Sequence, residues 1–318
     1  MTEKSLRLVF MGTPAMAAPS LEAVVAAGHR VELVITQPDR AQGRGRKLTR
    51  GAVAAAAEAL GLVVAQPATM AELISLTAQA RPELVVALAY GRLLPPAVLQ
   101  IPPLGALNVH FSLLPALRGA APIQRAVLAG LEQSGASVMF IDEGLDTGDI
   151  VLQEPTPIEA QDTAGSLAER LARQGAALLV RAMAQIAAGQ AKRRPQDHAL
   201  ASHAPRLTKD EGLIDWARPA RQLDCHVRGM DPWPGAFCPT PAGPLRLFGP
   251  TLVLPDNQAA PPGLILAPPA AAPNMLTVAC GQGALAVGHA QAPGKRRLPA
   301  AEFLRGARLA PGQFLCGP

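Results

Sequence analysis

Between Asn108 and Gln124 the chain reads NVHFSLLPALRGAAPIQ, the stretch richest in side chains that could do chemistry. Asn108, His110 and Ser112 alternate, and in extended backbone alternate residues share one face. That face can present an amide donor, an imidazole and a hydroxyl to a single cleft. A lone histidine at a strand end is more often a satisfied hydrogen-bonding residue than a catalyst, so a second group is needed. Asp142 to Asp149 (DEGLDTGD) offers it, with four carboxylates in eight residues and glycines between them. The spacing does not follow the EF-hand ligand pattern, which argues against calcium. One of these carboxylates could orient His110 and stabilise its charge. Asn, His and a carboxylate together suit acyl transfer to an amine. The amide can donate to a developing oxyanion, typically worth ~10²–10³ in rate. The imidazole and carboxylate can handle the proton lost by the attacking nitrogen.

These groups must be held by regular structure, and the pattern predicts it. Short apolar runs read as buried strands at Leu6 to Met11, Val31 to Thr36, Leu62 to Ala65, Leu84 to Ala89 and Ala106 to His110. Helical stretches separate them at Pro19 to Ala27, Gly51 to Leu60, Met70 to Ala80 and Pro95 to Leu99. Further strands are expected at Ala136 to Asp142 and Ile150 to Ile158, then a long helix from Thr163 to Ala188 ended by Gly189. Strands joined through helices imply right-handed crossovers and an α/β domain with a doubly wound, mostly parallel sheet. Ligands bind such sheets beyond the carboxyl ends of the strands, where the turn after Met11, the loop after Thr36 and the segment after Val109 fall. Residues 190–206 are polar, basic and proline-containing, as in a linker. Beyond them, short strands at Ala236 to Pro239, Leu245 to Phe248, Gly263 to Leu266, Leu276 to Ala279 and Ala284 to His289 suggest a small β-barrel. A helix starting at Pro299 follows it.

The bulk numbers fit two domains. The chain has 318 residues, 49% hydrophobic and 17% charged, too apolar for a disordered chain. The net charge of +5 permits a polyanionic partner. Its distribution says more. Arg40, Arg44, Arg46, Lys47 and Arg50 cluster against Asp39 alone, and further clusters lie at Lys192 to Arg194 and Lys295 to Arg297. Three basic clusters on loops favour nucleic acid. Gly43-x-Gly45 lacks the context of a dinucleotide fingerprint. The four cysteines, Cys225, Cys238, Cys280 and Cys316, form no C-x-x-C pair and have no histidine at metal-ligand spacing. They read as reduced thiols of a cytoplasmic protein. The opening residues are too polar for a signal peptide, and no apolar run reaches membrane-spanning length.

The runs NVHFSLLPALRGAAPIQRA and DEGLDTGD, in that order, resemble the signature of the folate-dependent formyltransferases. FMGTP at Phe10 to Pro14, QPDRAQGRGRKL at Gln37 to Leu48, AYGRLLPPAVL at Ala89 to Leu99, LTKDEGLIDW at Leu207 to Trp216, DPWPGAF at Asp231 to Phe237 and PGKRRLPAAEFLRG at Pro293 to Gly306 extend the resemblance over nearly the whole chain. They resemble the branch of that family whose acceptor is methionyl initiator tRNA. The resemblance implies a formyltransferase catalytic domain at 1–189, a linker at 190–206 and an OB-like tRNA-binding domain at 207–318. It implies Asn108, His110 and Asp146 as catalytic residues, with Asp146 chosen over Asp142 because it occupies the L-D-T-G motif. Ser112, Leu113, Leu114 and Pro115 would lie along the tetrahydrofolate. Arg40, Arg44, Arg46, Lys47, Lys209, Lys295, Arg296 and Arg297 would meet tRNA. The donor, 10-formyl-tetrahydrofolate, would be a consumed cosubstrate, with no metal, and a monomer would suffice. A formyltransferase for a small acceptor, such as a sugar nucleotide or glycinamide ribonucleotide, would keep the three catalytic residues but not need the basic loop. A catalytically silent RNA-binding protein on the same fold is the alternative from another class. Two departures stand out. Ala15 and Met16 replace an acidic and an aromatic residue, and Phe111 stands where a small residue is common. Phe111 is expected to pack in the core, opposite His110.

Overall fold

The apolar run after Arg7 forms β1 (Arg7–Gly12), buried from Leu8 onward. This computed structural model describes residues 5–42, 47–240, 243–256 and 259–316, with the backbone alone at 40–42, 47 and 48. After a 3-10 turn at Ala15–Ala17 come α1 (Ala18–Ala26) and β2 (Arg30–Ile35). Two short strands, β3 (Arg40–Gln42) and β4 (Lys47–Thr49), pair antiparallel at the base of the arginine-rich loop. Then follow α2 (Ala52–Ala59), β5 (Val64–Ala65), α3 (Met70–Ala80), β6 (Leu84–Leu88), α4 (Pro96–Leu99) and β7 (Ala106–His110). The helix α3 starts at Thr69, whose side chain caps the Glu72 amide, while the Glu72 carboxylate accepts from Ala68 N in return. Next are α5 (Pro122–Leu128), β8 (Gln133–Phe140), β9 (Ile150–Pro157) and α6 (Ala164–Ala187).

Seven strands form one sheet in the order β5-β2-β1-β6-β7-β8-β9. The pairs from β5 to β7 are parallel and β7–β8 is antiparallel, so the mostly parallel, doubly wound α/β sheet is realised. All five residues of β6 are buried, as expected of a strand covered on both faces. Val9, Met11, Leu33, Ile35 and Val85 are among the residues that build a core against it.

The remaining elements are α7 (Ala220–Met230), β10 (Ala236–Thr240), β11 (Gly243–Leu254), β12 (Ile265–Leu266), β13 (Leu276–Ala279), β14 (Ala284–Gln291), β15 (Leu298–Pro299) and α8 (Ala300–Ala307). The strands make an antiparallel sheet in the order β10-β11-β14-β13-β12, with β15 beside β14. The expected OB-like part is present as one curled antiparallel sheet. Leu223, Val227 and Met230 of α7 share its core with Leu247, Leu276, Leu285 and Val287.

Packing divides the chain into two units that are not contiguous in sequence. One comprises Met1–Ala120, Ser134–Thr156 and Ala168–Ala204; the other Ala121–Gln133, Pro157–Leu167 and Pro205–Pro318. In the second, α5 packs on α7, Arg125 pairs with Glu211 at 2.6 Å, and buried Arg228 donates to the Asp162 carbonyl at 2.9 Å.

The expectation of four reduced thiols needs correction. Cys238 and Cys316 form a disulfide, whereas Cys225 and Cys280 remain thiols. The chain end brings the pair together. Residues around Phe314 pair beside Leu264, which places Cys316 with its Cα 6.2 Å from that of Cys238 on β10. Burial pushes the Cys280 thiol up to about 12, and it raises Cys225 as well, so neither is primed for reaction.

Candidate active site

Asn108 and His110 lie at the carboxyl end of β7, opposite Met139 and Ser137 of β8. Alternation puts Val109 and Phe111 on the other side, where both are buried and approach Gly175 of α6. Phe111 thus packs in the core as expected.

The chain then turns sharply. The Ser112 hydroxyl donates to the Ala116 carbonyl at 2.6 Å, and Ser137 donates to the Ser112 carbonyl at 2.6 Å. The Leu114 amide donates to Ser137 at 3.1 Å, and Gln153 donates to the Leu114 carbonyl at 2.8 Å. Leu114–Pro115 is cis. The turn returns the Leu117 carbonyl to His110 Nε2 at 2.9 Å. Of the four residues expected along the folate, Ser112 and Leu114 are buried, and Leu113 and Pro115 are half-buried.

The loop between β8 and β9 supplies the carboxylate. Asp142 is exposed and caps its own loop, accepting from Gly144 N at 3.0 Å and Thr147 Oγ1 at 2.6 Å. Asp146 alone among the described carboxylates of this loop is placed at β7. Its Oδ2 lies 3.5 Å from His110 Nδ1 and accepts from Gly119 N at 2.8 Å; its Oδ1 lies 3.4 Å from Asn108 Nδ2. The side chains of His110 and Asp146 are 6% and 12% exposed. Asp146 has φ 55°, a left-handed conformation that aspartate tolerates better than most residues. Gly148 is needed where it is, since a Cβ there would sit 1.9 Å from the Phe140 carbonyl oxygen.

The three side chains therefore converge at the end of β7, with Asn108 half-buried and His110 and Asp146 largely shielded from solvent. Both nitrogens of the His110 ring face oxygen acceptors, so a proton reaching Nδ1 meets the Asp146 carboxylate. The Asn108 amide is held only loosely and can turn its N–H toward an oxyanion. Nearby strand ends are laced together as well: Gln37 N donates to Thr13 Oγ1 at 3.2 Å, and Thr13 donates to the Tyr90 carbonyl at 3.3 Å.

Reading the sequence missed Arg118 and Gln196. Gln196 Nε2 donates to the carbonyls of Asp146 at 3.0 Å and Gly148 at 2.7 Å, and Arg118 donates to Gln196 Oε1. Gln196 sits in the stretch expected to be a linker, where no local pattern marks it, and packs within the first unit.

The expected tRNA-contacting residues separate into groups. Arg44 and Arg46 lie outside the described residues. Arg40 and Lys47 pair as backbone, through Thr49 and Gln42. Lys209, Lys295 and Arg296 are exposed. Arg297 is engaged internally: it grips the buried Asp231 carboxylate at 3.2 Å, donates to the Gly249 carbonyl at 3.1 Å and covers the Phe248 ring at 4.2 Å. In the basic cluster at 192–194, Arg193 lies over Phe140 at 3.7 Å and Arg194 donates to Gln153 at 3.1 Å. A cleft of about 450 Å³ is lined by Val151, Leu152, Gln153, Gln185, Gln190, Lys192 and Arg194, and by none of the three converging residues. Among the described residues no group of His, Cys, Asp and Glu is arranged to hold a metal, and no helix is long and apolar enough to cross a membrane.

Residues 6–183 match the formyl transferase family and residues 206–308 match the formyl transferase C-terminal domain. The chain belongs to the formyltransferase family. Within it, the chain is 45% identical to the methionyl-tRNA formyltransferase of Pelotomaculum thermopropionicum, over 98% of both proteins. It is 46% identical to the methionyl-tRNA formyltransferase of Gluconobacter oxydans, over 98% of this chain and 100% of that one. A crystal structure of HypX from Aquifex aeolicus in complex with tetrahydrofolic acid matches 95% of this chain and 47% of its own, with a TM-score of 0.67 at 16% identity, a likeness of fold alone.

Proposed function

We propose that this enzyme transfers the formyl group of 10-formyl-tetrahydrofolate to the α-amino group of methionyl initiator tRNA in the cytoplasm. The observation that carries the reading is the convergence of Asn108, His110 and Asp146 at the carboxyl end of β7. The amine attacks the formyl carbon and a new C–N bond forms. The carbonyl oxygen becomes an oxyanion, and Asn108 donates to it. The ammonium of the tetrahedral adduct loses a proton to His110, whose gained charge Asp146 balances at Nδ1. The bond from carbon to N10 of the folate then breaks, and the proton goes to N10. No metal is needed in this sequence.

The half-buried Leu113 and Pro115 supply apolar surface for the folate, while buried Ser112 and Leu114 hold the turn that presents it. Arg40, Arg44, Arg46 and Lys47, with exposed Lys209, Lys295 and Arg296, supply the positive charge for the tRNA. Residues 1–189 carry the chemistry, and 207–318 add phosphate contacts beyond the linker at 190–206. One chain holds every group required, so a monomer suffices.

The test is transfer of labelled formyl to charged initiator tRNA, with charged elongator tRNA alongside, over a range of salt concentrations. Rapid labelling of the initiator, with apparent acceptor affinity falling steeply as salt rises, supports an RNA acceptor. Labelling of a small amine at a salt-independent rate, with none of the tRNA, refutes it.

A further inference from the structure

The Asp146 loop is gripped by a residue 50 positions further along the chain. Gln196 is 7% exposed, and its amide is fully used. Its Nε2 donates to the Asp146 carbonyl at 3.0 Å and the Gly148 carbonyl at 2.7 Å; its Oε1 accepts from Arg118 Nε at 3.1 Å and Nη2 at 2.6 Å. Two N–H groups and two lone pairs are all that an amide has. Glutamate could serve Arg118 but not the two carbonyls, and lysine the reverse. The segment is itself anchored, because the Arg194 backbone exchanges hydrogen bonds with Ile150 at 2.9 and 3.0 Å.

Arg118 is 5% exposed, and its Nη1 faces His198 Nδ1 at 3.1 Å. The next residue, Gly119, donates its backbone amide to the Asp146 carboxylate at 2.8 Å. Asp146 is therefore held at both ends: the carboxylate by Gly119, the carbonyl by Gln196. Its φ of 55° makes this restraint matter. A non-glycine residue in that region persists only where its surroundings over-determine it. Released, the backbone would relax and turn the carboxylate away from His110.

We propose that Gln196, braced by Arg118, is a positioning residue that fixes the Asp146 backbone so that its carboxylate faces His110 during formyl transfer. This rests on the role given above to Asp146. The test is single-turnover formyl transfer to charged initiator tRNA, with thermal melting in parallel, for Gln196→Leu, Gln196→Glu, Asp146→Asn and Gln196→Leu combined with Asp146→Asn. Gln196→Glu keeps the contact with Arg118 but loses both donated bonds and turns a carboxylate oxygen toward the two carbonyls, and the melts establish that each variant assayed is folded. Each Gln196 variant should lose about 10–100-fold in rate, by analogy with loss of the hydrogen bonds that orient metal ligands. KM for either substrate should stay nearly unchanged. The double variant should be no slower than Asp146→Asn alone, as for residues that act as one unit. A folded Gln196 variant at full rate overturns the proposal. So does a Gln196→Leu loss that recurs in full on top of Asp146→Asn. Full activity of Asp146→Asn would remove the underlying role of Asp146 instead, a distinct result.

Discussion

Replacing Asp146 by asparagine removes one charge and leaves the shape. Its Oδ2 position accepts from Gly119 N at 2.8 Å, so the amide oxygen of the variant settles there. The new NH₂ then faces Asn108 Nδ2 across 3.4 Å, where two donors meet. This contact is long enough for Asn108 to rotate away, so the fold should lose no more than about 1–2 kcal/mol. Catalysis should lose far more. A charge pair separated by 3.5 Å is worth roughly 2–5 kcal/mol at effective dielectrics of about 20–40. In the proposed mechanism that attraction develops as His110 takes the amine proton, so it counts in the transition state. At about 1.4 kcal/mol per decade, the rate should fall by roughly one and a half to three and a half decades. Rapid-quench measurement of formyl transfer at saturating donor and acceptor reads this step directly. A folded Asp146→Asn enzyme within about threefold of the parent rate would refute the electrostatic argument.

Three further outcomes follow from the packing and charges described above. A Cβ at Gly175 would lie 2.8 Å from Val109 Cγ1 and 3.1 Å from Phe111 Cε1, on the residues flanking His110. Gly175→Ala should therefore destabilise by about 1–3 kcal/mol from overpacking, offset in part by ~0.5–1 kcal/mol of helix propensity, and slow transfer several-fold. A raised melting temperature with unchanged rate would show that β7 yields freely. Arg297→Ala strands the buried Asp231 carboxylate, and with the guanidinium partly exposed the cost should be about 1–3 kcal/mol in a urea melt. An unchanged midpoint with a raised KM for tRNA would instead return Arg297 to the RNA-contacting set. Burial pushes the His226 imidazole below its usual range, against a smaller opposing pull from the Gly212 backbone. The unfolded chain then takes up the proton first, so stability should be full above about pH 6.5 and fall as acid approaches the lower folded value. His226→Gln should flatten that part of the pH–stability curve, and an unchanged curve would place the effect elsewhere.

Long, strongly periodic features were legible before any coordinates. The helix read from Thr163 to Ala188 is present as Ala164–Ala187, and the buried strand read from Leu84 to Ala89 as Leu84–Leu88. Two helices were missed. In α7 the apolar positions Ala220, Leu223, Val227 and Met230 recur at helical spacing, but Pro219, Gly229 and the interspersed charges made the stretch look like loop. The helix α5 has seven residues, too few for a periodic signal. The strand β11 runs through Gly249-Pro250, a pair that reads as a turn. The chain accommodates it through a register shift between Phe248 and Thr251. Within the site, Asn108 and His110 could be paired from their alternation alone. Assigning Asp146 rather than Asp142 required the family motif. The clamp from Arg118 to Gln196 joins residues 78 apart, and no local rule links them.

The interleaved packing has a consequence for how the molecule is made. Leu128 of α5 rests on Gly229 of α7, and Arg125 reaches Glu211 across 86 residues of chain. During synthesis the first partner leaves the ribosome well before the second exists. At about 5–20 residues per second, α5 waits for several seconds or longer with its apolar face uncovered. The nascent chain therefore has a defined interval of vulnerability to aggregation and to chaperone capture. A messenger that slows translation between codons 130 and 210 would lengthen that interval without changing a single amino acid.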